Sequence, residues 1–236
     1  APIEIKDGLS NLVLDIGGVG FFAISYPFVK GETADIKNPA HISLIGKSLA
    51  TLHKDMRKLK NYPFLAMTEV GKRLEIHHLA QTLSGAELAF NNATRHFGNS
   101  DRQLLHGDFN VGNLKINGKH VGIFDFDNCL YGSVAYELAN SLYMILFDQV
   151  TQGKISVYKE FKREFLKAYL TETEAYIDPE TIDDLIGYRV LVLASWLAHP
   201  SDAPLFIRQS PQTWLNTLNR FVKTYFEKIT LLNGRA

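Results

Sequence analysis

The chain has 236 residues, 46% hydrophobic and 21% charged, with 25 Lys plus Arg balancing 25 Asp plus Glu. That composition suits one generous globular domain or two small ones with a sizeable core, and a net charge of zero lacks the basic excess of a nucleic-acid-binding surface. The single cysteine, Cys129, excludes a disulfide within the chain. With no signal-peptide pattern in APIEIKDGLS and no apolar run of membrane-spanning length, a cytoplasmic protein that binds no membrane is expected.

In chain order, Asn11–Ile16 (NLVLDI) and Phe21–Ser25 (FFAIS) read as two strands around Gly17-Gly18-Val19-Gly20, a hairpin. YPFVKG (26–31) marks the exit from that sheet. Ile42, Ile45, Leu49, Leu52 and Met56 recur at spacings of three and four behind Pro39, which predicts an amphipathic helix. A second helix is predicted over Leu74–Phe97. After the loop 104–113, LKI and HVGIFDF read as two short strands around Asn117-Gly118.

The rest reads as helical. Ala135–Phe147 has the composition of a buried helix, and Ile155–Leu170 carries Phe161, Phe165 and Tyr169 on one stripe. Asp178-Pro179-Glu180 opens a helix that ends near His199-Pro200, and Trp214–Leu232 is the last. There are no internal repeats and no low-complexity linker.

The chemistry is concentrated in LLHGDFNVGNLKI (104–116) and the following GIFDFD. Phosphoryl transfer needs one carboxylate to orient an acceptor hydroxyl and take its proton, and hard oxygen ligands to hold Mg²⁺ against the phosphates. Asp108 follows His106 by two residues, Asn113 comes five later, and Asp125 twelve after that at the end of an apolar strand. A hairpin between Asn113 and Asp125 would bring both to one end, beside Asp108.

The pattern H-x-D-x-x-x-x-N with a strand running into Asp resembles the catalytic loop and metal-binding Asp of the aminoglycoside phosphotransferase and choline kinase family, small-molecule relatives of protein kinases. SLATLHKD (48–55), YPFVKG and FDFDNCLYGSVAYELA also resemble that family's segments. The resemblance spans roughly residues 10–235, with 104–137 its specific part. It implies an α+β fold: a mostly helical C-terminal lobe (32–236), a short hairpin at the catalytic site, a hinge at 26–31 and a two-strand remnant of the N-terminal lobe at 1–25. It implies Asp108 as catalytic base or orienter, with His106 bracing the loop. Asn113 and Asp125 become Mg²⁺ ligands, Asp127 a further metal or substrate contact, and the hinge backbone at Ser25, Tyr26 and Phe28 the adenine contact. The cofactors are then ATP or GTP with Mg²⁺, and the partner is a small hydroxyl compound resembling an aminoglycoside, an amino alcohol or a sugar. Where family members often carry Asp, this chain has Ser133 and Glu137, read as structural positions; Lys115 stands where an apolar adenine floor is usual.

Other candidates read as structural. His53 packs or hydrogen-bonds, His77-His78 are surface residues, Trp196 and Trp214 belong to the core, and Cys129 has no activating base. The acids Asp148, Asp178, Glu180, Asp183 and Asp184 read as solvated or helix-starting. GGVG lacks phosphate-loop spacing and reads as a turn.

A complete kinase-type small lobe needs roughly 60–65 residues, and only 25 precede YPFVKG. The chain is therefore expected to hold mainly the large lobe, through trimming, natural truncation or a small lobe supplied in trans. An active phosphotransferase is the leading expectation. A non-catalytic binding lobe is the alternative.

Overall fold

A computed structural model describes residues 11–59, 74–97, 102–173 and 177–232. Strands β1 (Asn11–Ile16) and β2 (Val19–Ile24) pair antiparallel from Asn11↔Ile24 to Ile16↔Val19. Gly17 and Gly18 form the turn at φ 65° and 81°, the double left-handed conformation that a two-residue hairpin with native twist requires. The second strand thus begins two residues earlier than its hydrophobic pattern indicates and ends before Ser25. Val13, Ile16, Val19 and Ile24 remain exposed on this ribbon. Residues 26–31 then run without regular structure to Glu32, which bridges Ile116. The first ten residues, assigned from sequence to the N-terminal remnant, lie outside the described ones.

Helix α1 (Pro39–Met56) starts where Asn38 accepts a hydrogen bond from Ala40 N at 3.0 Å and Pro39 supplies a preset φ. It buries Ile42, Ile45, Leu49 and Met56. The single helix expected over 74–97 is two: α2 (Ile76–Ala80) and α3 (Ala86–Thr94). Gly85, at φ 84°, separates them, because a left-handed residue cannot continue a right-handed helix. Strand β3 (Arg102–Leu105) leads into the HGD loop. After a 3₁₀ turn at Val111–Asn113, β4 (Leu114–Asn117) and β5 (His120–Ile123) form the expected hairpin. Its loop residues are Gly118 and Lys119, one place beyond the Asn-Gly pair, because Asn117 itself pairs with His120.

One strand was not anticipated. β6 (Leu130–Ser133) pairs antiparallel with β3, Arg102↔Ser133 through Leu105↔Leu130. At four residues it is too short to show a period in sequence.

Helix α4 (Val134–Thr151) follows at once, with Ser133 Oγ accepting from Ala135 N at 3.1 Å. Its buried residues lie all around the cylinder, as expected of a central helix. α5 (Ile155–Thr171) buries Phe161, Phe165 and Tyr169. α6 (Pro179–Ala198) is capped by Asp178 and is also largely buried. A 3₁₀ turn at Pro200–Asp202 and the short α7 (Leu205–Arg208) lead to α8 (Gln212–Leu232). α5 packs on α1, and α6 packs on α3, α4 and α8. These helices form one contiguous apolar core under the HGD loop. No helix among the described residues is long and apolar enough to cross a membrane.

Candidate active site

The HGD loop leaves β3 at Leu105 and is held from below by α4. The Glu137 carboxylate, fully buried, accepts from His106 N at 2.6 Å and from Gly107 N at 3.0 Å. Phe109 N points to the same carboxylate at 3.5 Å. One turn along α4, Asn140 Nδ2 donates to Gly107 O at 3.1 Å. Buried backbone groups need partners, and here two polar side chains of a buried helix supply them.

Gly107 adopts φ 79°, and a Cβ at this position would lie 1.8 Å from Asn128 O. The HGD loop and the segment after Asp125 therefore touch backbone to backbone, and the middle residue of the motif has to be glycine.

His106 is fully buried. Its Nδ1 accepts from Asp108 N at 3.3 Å, which places the proton on Nε2, where it is donated to Phe124 O at 3.0 Å. Its ring lies over Phe126, with centroids 4.3 Å apart. This histidine joins the HGD loop to the strand end that carries Asp125.

Asp108 projects from the loop half-buried, and Asn113 Nδ2 donates to both Asp108 O at 3.0 Å and Asp108 Oδ2 at 3.1 Å. Asn110 shapes the turn between them, accepting from Gly112 N at 2.8 Å. Across the hairpin, Phe124 N donates to Asn113 O at 3.2 Å, so Asn113 and Asp125 stand at the same end of β4 and β5. Asp125 is exposed with φ 68°, the only left-handed non-glycine among the described residues, and Asp127 is exposed two residues on. Strained backbone of this kind concentrates at functional sites.

The donor set fits a hard divalent cation. With the Asn113 amide hydrogens engaged by Asp108, Oδ1 is the remaining polar atom of that side chain, and Asp125 stands at the same end of the hairpin. Among the described residues no group of three or more His, Cys, Asp or Glu could hold a metal alone. An ion here would draw further ligands from phosphates and water, the usual arrangement for Mg²⁺.

A model of the phosphotransferase enzyme family matches residues 12–185. The chain belongs to the phosphotransferase enzyme family. No curated protein matches it significantly. Among solved structures, amicoumacin kinase hAmiN in complex with AMP-PNP, Ca²⁺ and Ami superposes with a TM-score of 0.66 at 18% identity, over 96% of this chain and 71% of that one. A microcompartment-associated aminopropanol kinase gives 0.66 at 15% identity, over 96% and 75%. Plasmodium vivax ethanolamine kinase gives 0.55 at 17% identity, over 97% and 69%. At such identities the likeness is one of fold, and the protein-kinase-like, helix-rich α+β architecture expected from sequence is the one observed.

The matched span of this phosphotransferase-family chain contains every catalytic, metal-binding and hinge residue expected from sequence, and the structure brings His106, Asp108, Asn113 and Asp125 into one loop cluster. Tyr26 and Phe28 are exposed in the connecting segment, together with Ser25. Lys115 is half-buried on β4, its Nζ 3.3 Å from Thr33 Oγ1. His53 is buried, its Nδ1 2.8 Å from Tyr169 OH and its Nε2 3.9 Å from Glu137 Oε2.

The acidic group resolves into pairs: Asp183 with Lys162, Asp184 with His96 at 3.1 Å, and Asp178 as a helix cap. Burial pushes the Asp148 carboxyl up from its ordinary value. Trp196 and Trp214, both expected in the core, are only partly buried against it; Trp214 meets Phe147 edge to face, and Trp196 also lines a cavity. The support from Asn140 escaped the sequence reading. The signal available was two polar residues three apart, Glu137 and Asn140, inside the apolar run AYELANSLYMILF.

Proposed function

We propose that this chain is a small-molecule kinase that transfers the γ-phosphoryl group of ATP or GTP to an alcohol oxygen. The observation that carries the reading is the Asp108–Asn113 hydrogen bond, set in a loop whose backbone is pinned by buried Glu137. Pinning fixes the Asp108 carboxylate before substrate arrives, and positioning is most of what phosphoryl transfer asks of a protein.

Asp108 accepts a hydrogen bond from the acceptor hydroxyl and takes its proton as the oxygen bonds to the γ-phosphorus. The bond from that phosphorus to the β–γ bridging oxygen breaks, and the nucleoside diphosphate leaves with that oxygen. Asn113 Oδ1 and Asp125 would hold Mg²⁺, with Asp127 as a further contact. The ion, when bound, neutralises charge on the β- and γ-phosphates. His106 acts as a positioning residue. The backbone of Ser25, Tyr26 and Phe28 would meet adenine as the hinge of residues 26–31, between the strands of 1–25 and the lobe of 32–236.

The acceptor class we favour is an amino alcohol, an aminoglycoside-like compound or a sugar derivative. Family membership and the aminopropanol, ethanolamine and amicoumacin kinases among its structural neighbours support this class. The test is transfer of labelled γ-phosphate from Mg²⁺–ATP to a panel of such alcohols by the wild-type chain and Asp108→Ala. Transfer undiminished in the variant would sink the assignment of Asp108.

The exposed β1–β2 ribbon favours a second reading, a lobe that binds nucleotide or partner without turnover. Mg²⁺-dependent ATP binding without transfer to any alcohol of the panel would favour it.

A further inference from the structure

A cavity of about 540 Å³ opens between α2, the C-terminal end of α6, α7 and α8. Its size is that of small-molecule sites in general. None of Asp108, Asn113 or Asp125 lines it. The floor is apolar: Leu79, Leu83 and Val222 are buried there, and Trp196 forms part of the wall.

The rim has the opposite character. Arg208 and Lys223 both line it and both are exposed. No carboxylate stands among the described lining residues. Gln212, Asn216, Asn219 and Lys223 recur at spacings of four, three and four on one face of α8, all lining the cavity. Gln212 Nε2 donates to Asn216 Oδ1 at 3.0 Å, which uses the acceptor of Asn216 and leaves its amide hydrogens available. The rim is therefore rich in donors and positive, above a greasy floor.

We propose that this cavity binds an organic anion, its charged oxygens held by Arg208 and Lys223 and its apolar body lying against Trp196 and the leucines. An inorganic ion would gain only the Coulomb attraction of exposed charges, which is small in water. A neutral apolar molecule would gain only the floor. A molecule with both parts gains charge-assisted hydrogen bonds and burial of apolar surface together. The site is independent of the phosphotransfer reading.

The probe is anilinonaphthalene sulfonate, an aromatic anion that fluoresces when removed from water, titrated against the whole chain. Saturable binding is expected, with energy transfer from Trp196 that Trp196→Phe reduces. The double variant Arg208→Gln, Lys223→Gln should bind roughly tenfold more weakly, the loss expected of about one charge-assisted hydrogen bond. Both side chains are exposed, so an unchanged circular-dichroism melt is expected of the variant. N-phenylnaphthylamine, which lacks the sulfonate, should bind more weakly than the anion and equally to both proteins. Equal affinity of the double variant for the sulfonate, tight binding of the neutral analogue, or no saturable binding would each overturn the proposal.

Discussion

Glu137 Oε2 accepts a hydrogen bond from His106 N at 2.6 Å, and the same carboxylate takes that of Gly107 N. A side chain from the first turn of a buried helix thereby sets the backbone of the loop that presents Asp108. His53 stands behind it, 3.9 Å away, and is itself held by Tyr169 on another helix. The Asp108 carboxylate is thus coupled through Glu137 and His53, both buried, to the packing of α1, α4 and α5.

Replacing Glu137 by Ala should strand two buried N–H groups and cost about 2–4 kcal/mol of stability, read as a lower urea midpoint. The turnover rate should fall more than nucleotide affinity does, because the loop loses its register while Asn113 and Asp125 remain. Glu137→Asp, which keeps the charge, should recover part of both. An Ala variant with wild-type midpoint and rate would contradict the clamp.

Gly107→Ala should fail for a different reason. The added methyl would lie 1.8 Å from Asn128 O, and the residue would have to hold φ 79°. A left-handed residue alone costs about 1–2 kcal/mol, and the backbone clash adds to it. Loss of soluble protein, or a melting temperature depressed by several degrees together with inactivity, is the expected result.

Asp108→Asn and Asn113→Ala separate proton transfer from loop geometry. The first keeps a side chain of the same shape but removes the proton acceptor, and should lower the rate by roughly 10²–10⁴-fold with ATP affinity nearly unchanged. The second removes a proposed metal ligand and the Asp108 restraint together. It should raise the Mg²⁺ concentration needed for half-maximal activity, measured by titrating Mg²⁺ at fixed ATP.

Cys129 sits in a partly apolar groove with Leu52, Met56 and Phe126. Burial, reinforced by the charges of Glu137 and Asp127, pushes its thiol up to about 11 from 9.0. At pH 8 the folded chain should therefore react with iodoacetamide roughly 100-fold more slowly than the urea-unfolded chain, since only the thiolate attacks. The folded state holds its proton more tightly. The resulting stabilisation is absent of any pH dependence below about pH 9 and is lost as pH rises from there through about 11. Cys129→Ser should flatten the slope in urea melts between about pH 9 and 10, and leave the loss at higher pH, where tyrosines whose hydroxyls burial also pushes up begin to contribute.

Much of this molecule was readable in one dimension. Asn38-Pro39 and Asp178-Pro179 open helices because capping and a preset φ are local effects, and the 3.6-residue stripe of α1 or α5 needs only its own segment. Two glycines in GGVG predicted a turn for the same reason. The spacing of His106, Asp108, Asn113 and Asp125 was visible as a pattern because one loop and one hairpin carry all four.

Only the tertiary structure decided the rest. β6 exists because β3 lies beside it, although the strands begin at residues 130 and 102. Gly107 has to be glycine because Asn128 O arrives from another segment. Glu137 and Asn140, ordinary polar residues on a helix, become the loop's support because burial leaves backbone groups that must be paired, and pairing across distant segments leaves no local trace.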